Sequence, residues 1–197
     1  LVQNAALAVS GSHVVTWTDG TEFDLGGDWD RLSMYPSLSE AAGVEITPET
    51  PLAELLALAE KVEVEVSHPT HGKLVEELWE HFVKDGLTRP TFVMDFPVET
   101  SPLTASHRSI PRVVEKWGRY VRGFELASGY SELIDPVEQR ARFVEQAALG
   151  AALELLHHYR HHAAHVGDAL GAGGRDRGLE LGAQLVGAHL ARQVALE

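Results

Sequence analysis

The sequence predicts an α+β protein in which helices pack on one sheet. Three patterns lead to this fold class. Two β-type runs flank Asp19-Gly20, a pair typical of hairpin turns, within the segment 13–25. The segment 73–84 has the apolar spacing of an amphipathic helix, and 90–95 is a short apolar strand. Strands and helices mixed in this order favour a layer of helices on a sheet.

Composition is that of a globular protein with one sizeable core. The chain has 197 residues, of which 44% are hydrophobic and 23% are charged. It contains no cysteine, so disulfides and thiolate metal sites are excluded. We find neither a signal peptide nor an apolar run near the ~20 residues of a membrane span, and expect no membrane contact from this segment. The chain begins with Leu1, so we expect a piece of a longer, cytoplasmic protein.

The charge balance is strongly acidic. The formal net charge is −13, and phosphates are repelled by an acidic surface. General electrostatic capture of nucleic acid by this segment alone is therefore disfavoured, although a local basic face is compatible with the composition.

The first half of the chain supports four local assignments. Residues 1–9 form the end of a helix, and Ser37 to Glu40 resembles a capping box on a short helix that Gly43 ends. A further helix begins at Thr50-Pro51. The segment 61–67 alternates valine with glutamate, which predicts a half-exposed strand.

The next elements follow from apolar spacing and proline. Helix 73–84 places its apolar residues on one stripe and ends before Gly86. Two prolines in FPVETSPL (96–103) predict a strand end and a rigid turn, where Glu99 and Ser101 can face a pocket. Around His107 and Arg108 the chain is polar, and a solvated loop and a functional loop are both consistent with it.

The segment 116–139 organises the chemistry. It is predicted to be a strand running into a glycine-containing bend, with acids at Glu125 and Glu132 and an aromatic ring at Tyr130 between them. Glu132 and Tyr130 together can hold an ammonium group, by charge and by the ring face. Glu125 can hold a metal ion or a second cation. The alternative is that both acids are surface carboxylates on an edge strand.

Strand geometry adds a constraint. In a regular strand Ser128, Tyr130 and Glu132 lie on the face opposite Glu125. For all four to line one pocket, the backbone must bulge or bend between Glu125 and Tyr130, and Gly129 is predicted to permit this.

The C-terminal part changes character after about Ala147. A helix is predicted from Asp135, with Asp135 as its N-cap and Pro136 at its first position. The last fifty residues contain no lysine and hold six of the eleven histidines. Five of these histidines, at 157–165, fall on one predicted helix, and a Gly-rich break at 170–178 precedes a final helix at 179–196. Arg160 lies between the histidine pairs and opposes a cation, so a solvated or packed helix face is favoured over a zinc site.

Four blocks resemble a known family. FPVETSPL, SHRS, FELASGYSEL and DPVEQRARFVEQA are similar to class II lysyl-tRNA synthetases, in the family's order and at plausible spacing. The wording RGFELASGYSEL is closest to the actinobacterial branch in which such a domain follows a membrane lysyltransferase. The resemblance implies that residues 1–147 are the middle of the catalytic domain, an antiparallel sheet flanked by helices. Residues 148–197 form an unmatched helical tail.

The resemblance also implies chemistry and site residues. The family activates lysine with ATP and Mg²⁺ and transfers the lysyl group to tRNA. Glu125 corresponds to an ATP–Mg²⁺ ligand, while Tyr130 and Glu132 correspond to residues that hold the lysine side chain. Ser128, also in the lysine site, stands where many members have asparagine. A homodimer is implied for the parent enzyme.

The sequence departs from the family at several points. Gly118 stands where the family supplies a second acidic metal ligand, so Mg²⁺ loses one oxygen there. The dimer motif and the motif with the ATP-binding arginine belong before Leu1, and the final motif is matched only by GAGGRDRG, where Arg177 is a poor substitute. A frameshifted or rearranged gene end is our hypothesis for the tail.

Two classes of function follow. The first is a lysine–tRNA ligase whose isolated piece is inactive, because preorganised cationic groups that stabilise the transition state are missing. The alternative is a non-catalytic remnant that binds lysine weakly or acts as an interaction module, for example through the histidine-rich helix.

Overall fold

The computed structural model of the protein describes residues 1–67 and 69–150. The chain divides into two units, Leu1–Ile134 and Asp135–Glu197, which are described separately here. Helices of the first unit are α1 (Val2–Ser10), α2 (Met34–Ala42), α3 (Leu52–Lys61) and α4 (His71–Phe82). Its strands are β1 (Val14–Thr16), β2 (Glu22–Asp24), β3 (Asp30–Ser33), β4 (Thr91–Pro97), β5 (Val113–Val121) and β6 (Phe124–Tyr130).

A four-stranded sheet in the order β3-β4-β5-β6 is the centre of the first unit. The β4–β5 and β5–β6 pairs are antiparallel, whereas β3 runs parallel to β4. The predicted α+β class is confirmed, with one parallel pair in an otherwise antiparallel sheet. Strands β1 and β2 form a separate antiparallel hairpin, as predicted, and Gly20 in its turn has φ 83°.

The amphipathic helix α4 covers the sheet. Leu74, Leu78 and Trp79 are fully buried, and the Trp79 ring lies 5.4 Å from the Tyr120 ring of β5. The helix ends at Phe82 with Val83 as its C-cap residue, and a 3₁₀ turn over Lys84–Gly86 follows, so the predicted stop at Gly86 is wrong. Burial of this apolar stripe holds the helix layer on the sheet.

The strand predicted over 61–67 is wrong. The chain leaves α3 through a tight turn, in which Glu63 has φ 59° and the Val64 amide donates to the Ala59 carbonyl at 2.9 Å. The valines of this segment are partly buried against the core without pairing to a strand. The alternate valines of this loop face the core, and spacing alone does not distinguish such a loop from a half-exposed strand.

The capping box predicted at Ser37 is also wrong, because α2 begins one turn earlier. Ser33 is its N-cap residue, and Ser37 lies inside the helix. The Ser37 hydroxyl donates to the Ser33 carbonyl at 2.8 Å and accepts from the Trp79 indole at 3.0 Å. The predicted end at Gly43 is confirmed, with φ 69° in the left-handed region.

The predicted strand before FPVETSPL is confirmed and lies in the interior of the sheet. Strand β4 pairs with β3 on one side and β5 on the other. Its proline, Pro97, is the last residue, where no further ladder bond is needed, and a 3₁₀ turn over Val98–Thr100 follows. Among the residues that the structure describes, no helix combines the length and apolar character of a membrane span.

In the second unit the structure describes a helix over 136–150. The Asp135 carboxylate accepts from the Val137 amide at 2.8 Å and from the Glu138 amide at 3.4 Å, so the predicted N-cap is confirmed. The predictions for the histidine cluster at 157–165, the Gly-rich break with Arg177 and the helix at 179–196 lie outside the described residues.

His71, at the first position of α4, is a buried titratable group. It is 8% exposed, its ring stacks on Tyr35 at 6.3 Å between centroids, and its Nε2 has no hydrogen-bond partner in the described part of the chain. Burial lowers the pKa of His71 below its ordinary value of 6.5, opposed in part by the charge of Glu99.

This burial predicts acid destabilisation. Because the unfolded chain binds the His71 proton more readily than the folded chain, the free energy of unfolding should fall as pH decreases below 6.5. Urea unfolding at pH 7.5 and 5.5 measures the effect, and His71→Gln should reduce the difference. His81→Gln, which changes an exposed histidine of the same helix, is the matched control and should keep the wild-type difference. Equal pH dependence in all three proteins contradicts the assignment.

Candidate functional site

Strands β5 and β6 form the hairpin that carries the predicted site residues. Its two turn residues, Arg122 and Gly123, have φ of 53° and 72°. Two consecutive left-handed residues are the signature of a type I′ turn, which matches the right-handed twist of the flanking strands. Val121 and Phe124 form the first pair beyond the turn.

A β-bulge interrupts this hairpin at the third residue beyond the turn. Tyr120 pairs with Glu125, whereas Arg119 pairs with Ala127. Leu126 is therefore an extra residue on β6, without an opposite number on β5. Beyond a bulge of this kind, the side chains of the bulged strand change faces relative to a regular strand.

The bulge places three predicted site residues on one face of the sheet. Cross-strand partners point to the same side, and the partners of Ser128 and Tyr130 are Gly118 and Lys116. Glu125 lies on that side too, because its partner Tyr120 is two residues from Gly118. An atom added at Gly118 as Cβ would lie 3.3 Å from Oε1 of Glu125, which agrees with this placement.

Gly129 has a different role from the predicted one. The bend lies at Leu126, and the φ angle of Gly129 is not in the left-handed region. A Cβ at Gly129 would lie 2.3 Å from the Trp117 ring, on the opposite face of the sheet. Glycine is required there because the indole packs directly on the backbone.

Glu132 follows the end of β6 and pairs with Thr104 in an isolated antiparallel bridge. Glu125 and Glu132 are exposed, Tyr130 is 49% exposed, and neither carboxylate makes an ion pair within residues 1–67 and 69–150. The described residues thus bring Glu125, Ser128 and Tyr130 to one face but do not close a cavity around Glu132. Strand β6 is the last strand of the sheet, as in the alternative of edge-strand carboxylates.

Two aromatic rings, those of Tyr120 and Phe96, lie beside Gly118 on this face. A Cβ on Gly118 would lie 2.8 Å from the Tyr120 ring and 3.4 Å from the Phe96 ring. Tyr120 is 6% exposed, and burial, with a smaller contribution from Glu125, raises the pKa of its phenol above its usual range. The phenol therefore stays neutral beside Glu125.

Lys116 is a member of this face that the sequence did not reveal. Its ammonium lies 4.3 Å from the centre of the Phe96 ring. Nearby, burial raises the pKa of Glu76, against the opposing effects of a 2.7 Å hydrogen bond from Thr100 and of the Lys116 charge. Only the strand register brings Lys116 opposite Tyr130.

An open groove of about 530 Å³ adjoins Tyr130 and includes Lys116, Asp95 and His107. His107 Nδ1 accepts from the backbone amides of 109 and 110 at 3.2 and 3.0 Å, which directs Nε2 toward Asp95 at 3.8 Å. Arg108 pairs with Glu115 at 2.8 Å. The loop at 106–109 thus makes several polar contacts, while Arg108 itself stays exposed to solvent.

Glu99 and Ser101 do not face this groove. The Glu99 carboxylate accepts from the Gly72 amide at 2.6 Å and pairs with Arg112 at 3.1 Å. Ser101 is 7% exposed. The turn after β4 therefore anchors the start of α4 instead of presenting these two side chains to a ligand.

The described residues do not make a complete metal site. Among them, no three histidine, aspartate or glutamate side chains are grouped so that they could hold a metal ion. Glu125 is a single carboxylate, and a second one at Gly118 would require Tyr120 to move. Mg²⁺ takes six oxygen ligands in near-octahedral geometry, so most of them would come from elsewhere.

Comparison with known proteins identifies the family of this chain. The sequence profile of the family described as tRNA synthetases class II (D, K and N) matches residues 1–180. The chain belongs to this family. The match extends past Ala147, and the predicted domain boundary there stays a prediction.

Individual relatives of this class II synthetase chain are lysine–tRNA ligases. It is 64% identical to that of Kineococcus radiotolerans over 151 residues and 58% identical to that of Mycolicibacterium gilvum over 155 residues. The alignments cover 76% and 77% of this chain but only 30% and 31% of the two relatives. It is also 46% identical, over 156 residues, to the lysylphosphatidylglycerol biosynthesis bifunctional protein LysX of Nocardia farcinica, covering 77% of this chain and 14% of that protein.

The packing of Trp117 on Gly129 predicts a local stability effect. Gly129→Ala should lower the free energy of unfolding by roughly 1–3 kcal/mol, because the added methyl group overlaps the indole. Gly86→Ala is the control, since a Cβ there meets nothing within 4 Å. Chemical denaturation of both variants measures the difference; equal stability would contradict the close contact.

Proposed function

We propose that this chain is the central part of a lysine–tRNA ligase catalytic domain, which activates lysine with ATP and transfers it to tRNA. The observation that carries the proposal is the bulge at Leu126, which sets Glu125, Ser128 and Tyr130 on one face of the sheet. The identity with ligases that are named for lysine supports the choice of amino acid.

Glu132 and Tyr130 are proposed to recognise the side chain of lysine. A carboxylate without an ion pair can accept charge-assisted hydrogen bonds from an ammonium group, and a phenol ring face attracts the same cation. Ser128, one pair further along the strand, can offer a hydroxyl to the polar end of the amino acid. We propose that these groups bind and orient lysine, because they are exposed to solvent at the edge of the sheet and a ligand can reach them.

Glu125 is proposed to contact ATP–Mg²⁺ as a single oxygen ligand. Gly118 leaves the neighbouring position without a carboxylate, so the remaining ligands come from phosphates, water and residues beyond those described. The Mg²⁺, when bound, would neutralise phosphate charge; no other step is assigned to it here.

The parent enzyme is proposed to supply the rest of the active site. The chain spans 30–32% of the length of the lysine–tRNA ligases to which it is similar. We therefore propose that tRNA binding, homodimer formation and adenylate formation depend on the whole enzyme. The enzyme is proposed to be cytoplasmic. A parent with a membrane domain, as in the bifunctional branch, fits the same segment. By itself the chain is expected to bind lysine without completing catalysis.

Lysine binding is the direct test of the side-chain contacts. Isothermal titration of the chain with lysine should give a weak, saturable signal, and Glu132→Gln should weaken it by about tenfold or more, because a charge-assisted hydrogen bond is lost. Norleucine, which lacks the ammonium group, should not bind. Glu65→Gln, at an acid of the 61–67 segment, is the charge-matched control. Equal affinities for lysine in wild type and Glu132→Gln would contradict the proposed contact.

A second candidate is a non-catalytic remnant that binds lysine, and Gly118 favours it because one acidic metal ligand is missing. Lysine-dependent exchange of pyrophosphate into ATP by the complete protein that contains this segment separates the two. Exchange that Glu132→Gln reduces supports the ligase. Lysine binding without exchange supports the remnant.

A further inference from the structure

Two arginines lie in one row on the face of the sheet that does not carry Glu125 and Tyr130. Arg31 of β3 pairs with Phe92 of β4, and Phe92 pairs with Arg119 of β5. Cross-strand partners share a side, so the two guanidinium groups rise on either side of the Phe92 ring. Their backbones are two strand spacings apart, about 9–10 Å, a distance that two arginine side chains can span.

Arg119 is held in place by aromatic rings. Its guanidinium carbon lies 5.2 Å from the centre of the Trp29 ring, 5.0 Å from that of Phe92 and 5.3 Å from that of Trp117. Trp29 is itself fixed, because its indole donates to the Leu25 carbonyl at 3.0 Å. Stacking of this kind restricts the guanidinium without neutralising its charge.

Neither arginine has a polar partner in the part of the chain that the structure describes. No hydrogen bond or ion pair is made by Arg31 or Arg119, and Nε of Arg119 is buried without a partner. By contrast, other arginines of the same unit pair with carboxylates, namely Arg89, Arg108, Arg112 and Arg122. Two unpaired guanidinium groups side by side are unexpected in a chain of net charge −13.

Both arginines line one open cavity of about 540 Å³. Trp29, Phe92, Gly27 and the segment 1–3 also line it. Asp28 also lines it and is the one carboxylate there among the described residues. The cavity is large enough for a small organic ligand.

We propose that this cavity binds a small, multiply charged oxyanion, bridged by Arg31 and Arg119. A guanidinium group presents parallel N–H donors that match two oxygens of a phosphate or a carboxylate, and two such groups suit a dianion. The face with Glu125, Ser128 and Tyr130 is called the lysine face. The oxyanion site is separate from it, because it lies on the other side of the same sheet, and it does not depend on the proposed ligase function. Phosphates and dicarboxylates share the chemistry that it recognises.

Titration calorimetry of the chain with pyrophosphate and with glutarate tests the proposal. Saturable binding of at least one is expected, weakening as salt increases. Arg31→Met and Arg119→Met, which keep the apolar stems, should each lower the affinity about tenfold or more. Arg31→Lys should give an intermediate loss, because a point charge replaces the bidentate donor. Preference for pyrophosphate or for glutarate identifies the ligand as a phosphate or a carboxylate.

Arg89→Met is the matched control, since Arg89 already pairs with Asp30 at 3.2 Å, and it should bind as wild type does. Glu132→Gln should also keep oxyanion binding, which separates this site from lysine recognition. Unfolding curves of the methionine variants show whether they are folded. Absence of binding in the wild type, or binding that folded Arg31→Met and Arg119→Met leave unchanged, overturns the proposal.

Discussion

One extra residue in strand β6 determines what the sheet can present. Without Leu126 outside the pairing, Ser128 and Tyr130 would lie on the same side as Trp117 and Arg119, and the thickness of the sheet would separate them from Glu125. The type I′ turn at Arg122 and Gly123 fixes the start of the register, and the bulge then shifts it once. Everything proposed for the lysine face depends on this shift.

The two sides of the sheet differ in charge and in cover. On one side, the exposed carboxylate of Glu125 lies beside the aromatic rings of Tyr120 and Phe96, and the one cation assigned to this side among the described residues is Lys116. On the other side, Arg31 and Arg119 lie among Trp29, Phe92 and Trp117. Because alternate residues of one strand point to opposite sides, Gly118 and Arg119 belong to chemically different surfaces although they are adjacent in sequence.

Local patterns predicted much of the fold. The hairpin around Gly20, the apolar stripe of α4 and the cap at Asp135 follow from short-range rules, and the structure has all three. The segment 61–67 failed because alternating valines pack against a core from a loop as well as from a strand.

The candidate site was predictable only in part. Strand alternation showed that a bulge was needed for a shared face, but its position depends on pairing with β5, which no local pattern encodes. Gly129 suggested the wrong place, since its reason is contact with an indole from the neighbouring strand. The roles of Lys116, Arg31 and Arg119 could not be predicted for the same reason, because each depends on contacts with residues of other strands.

If lysine binds as proposed, the ammonium of Lys116 on the Phe96 ring restricts where the charged end of the ligand can lie. This ammonium is chemically the same as the end of a free lysine, and two such groups 4 Å apart repel by about 4 kcal/mol at an effective dielectric constant of 20. A ligand is accommodated only if its charged end stops short of this resident ammonium or passes to the side of Glu132. The ammonium of Lys116 would thus disfavour cationic amino acids whose side-chain length brings their charged end close to it.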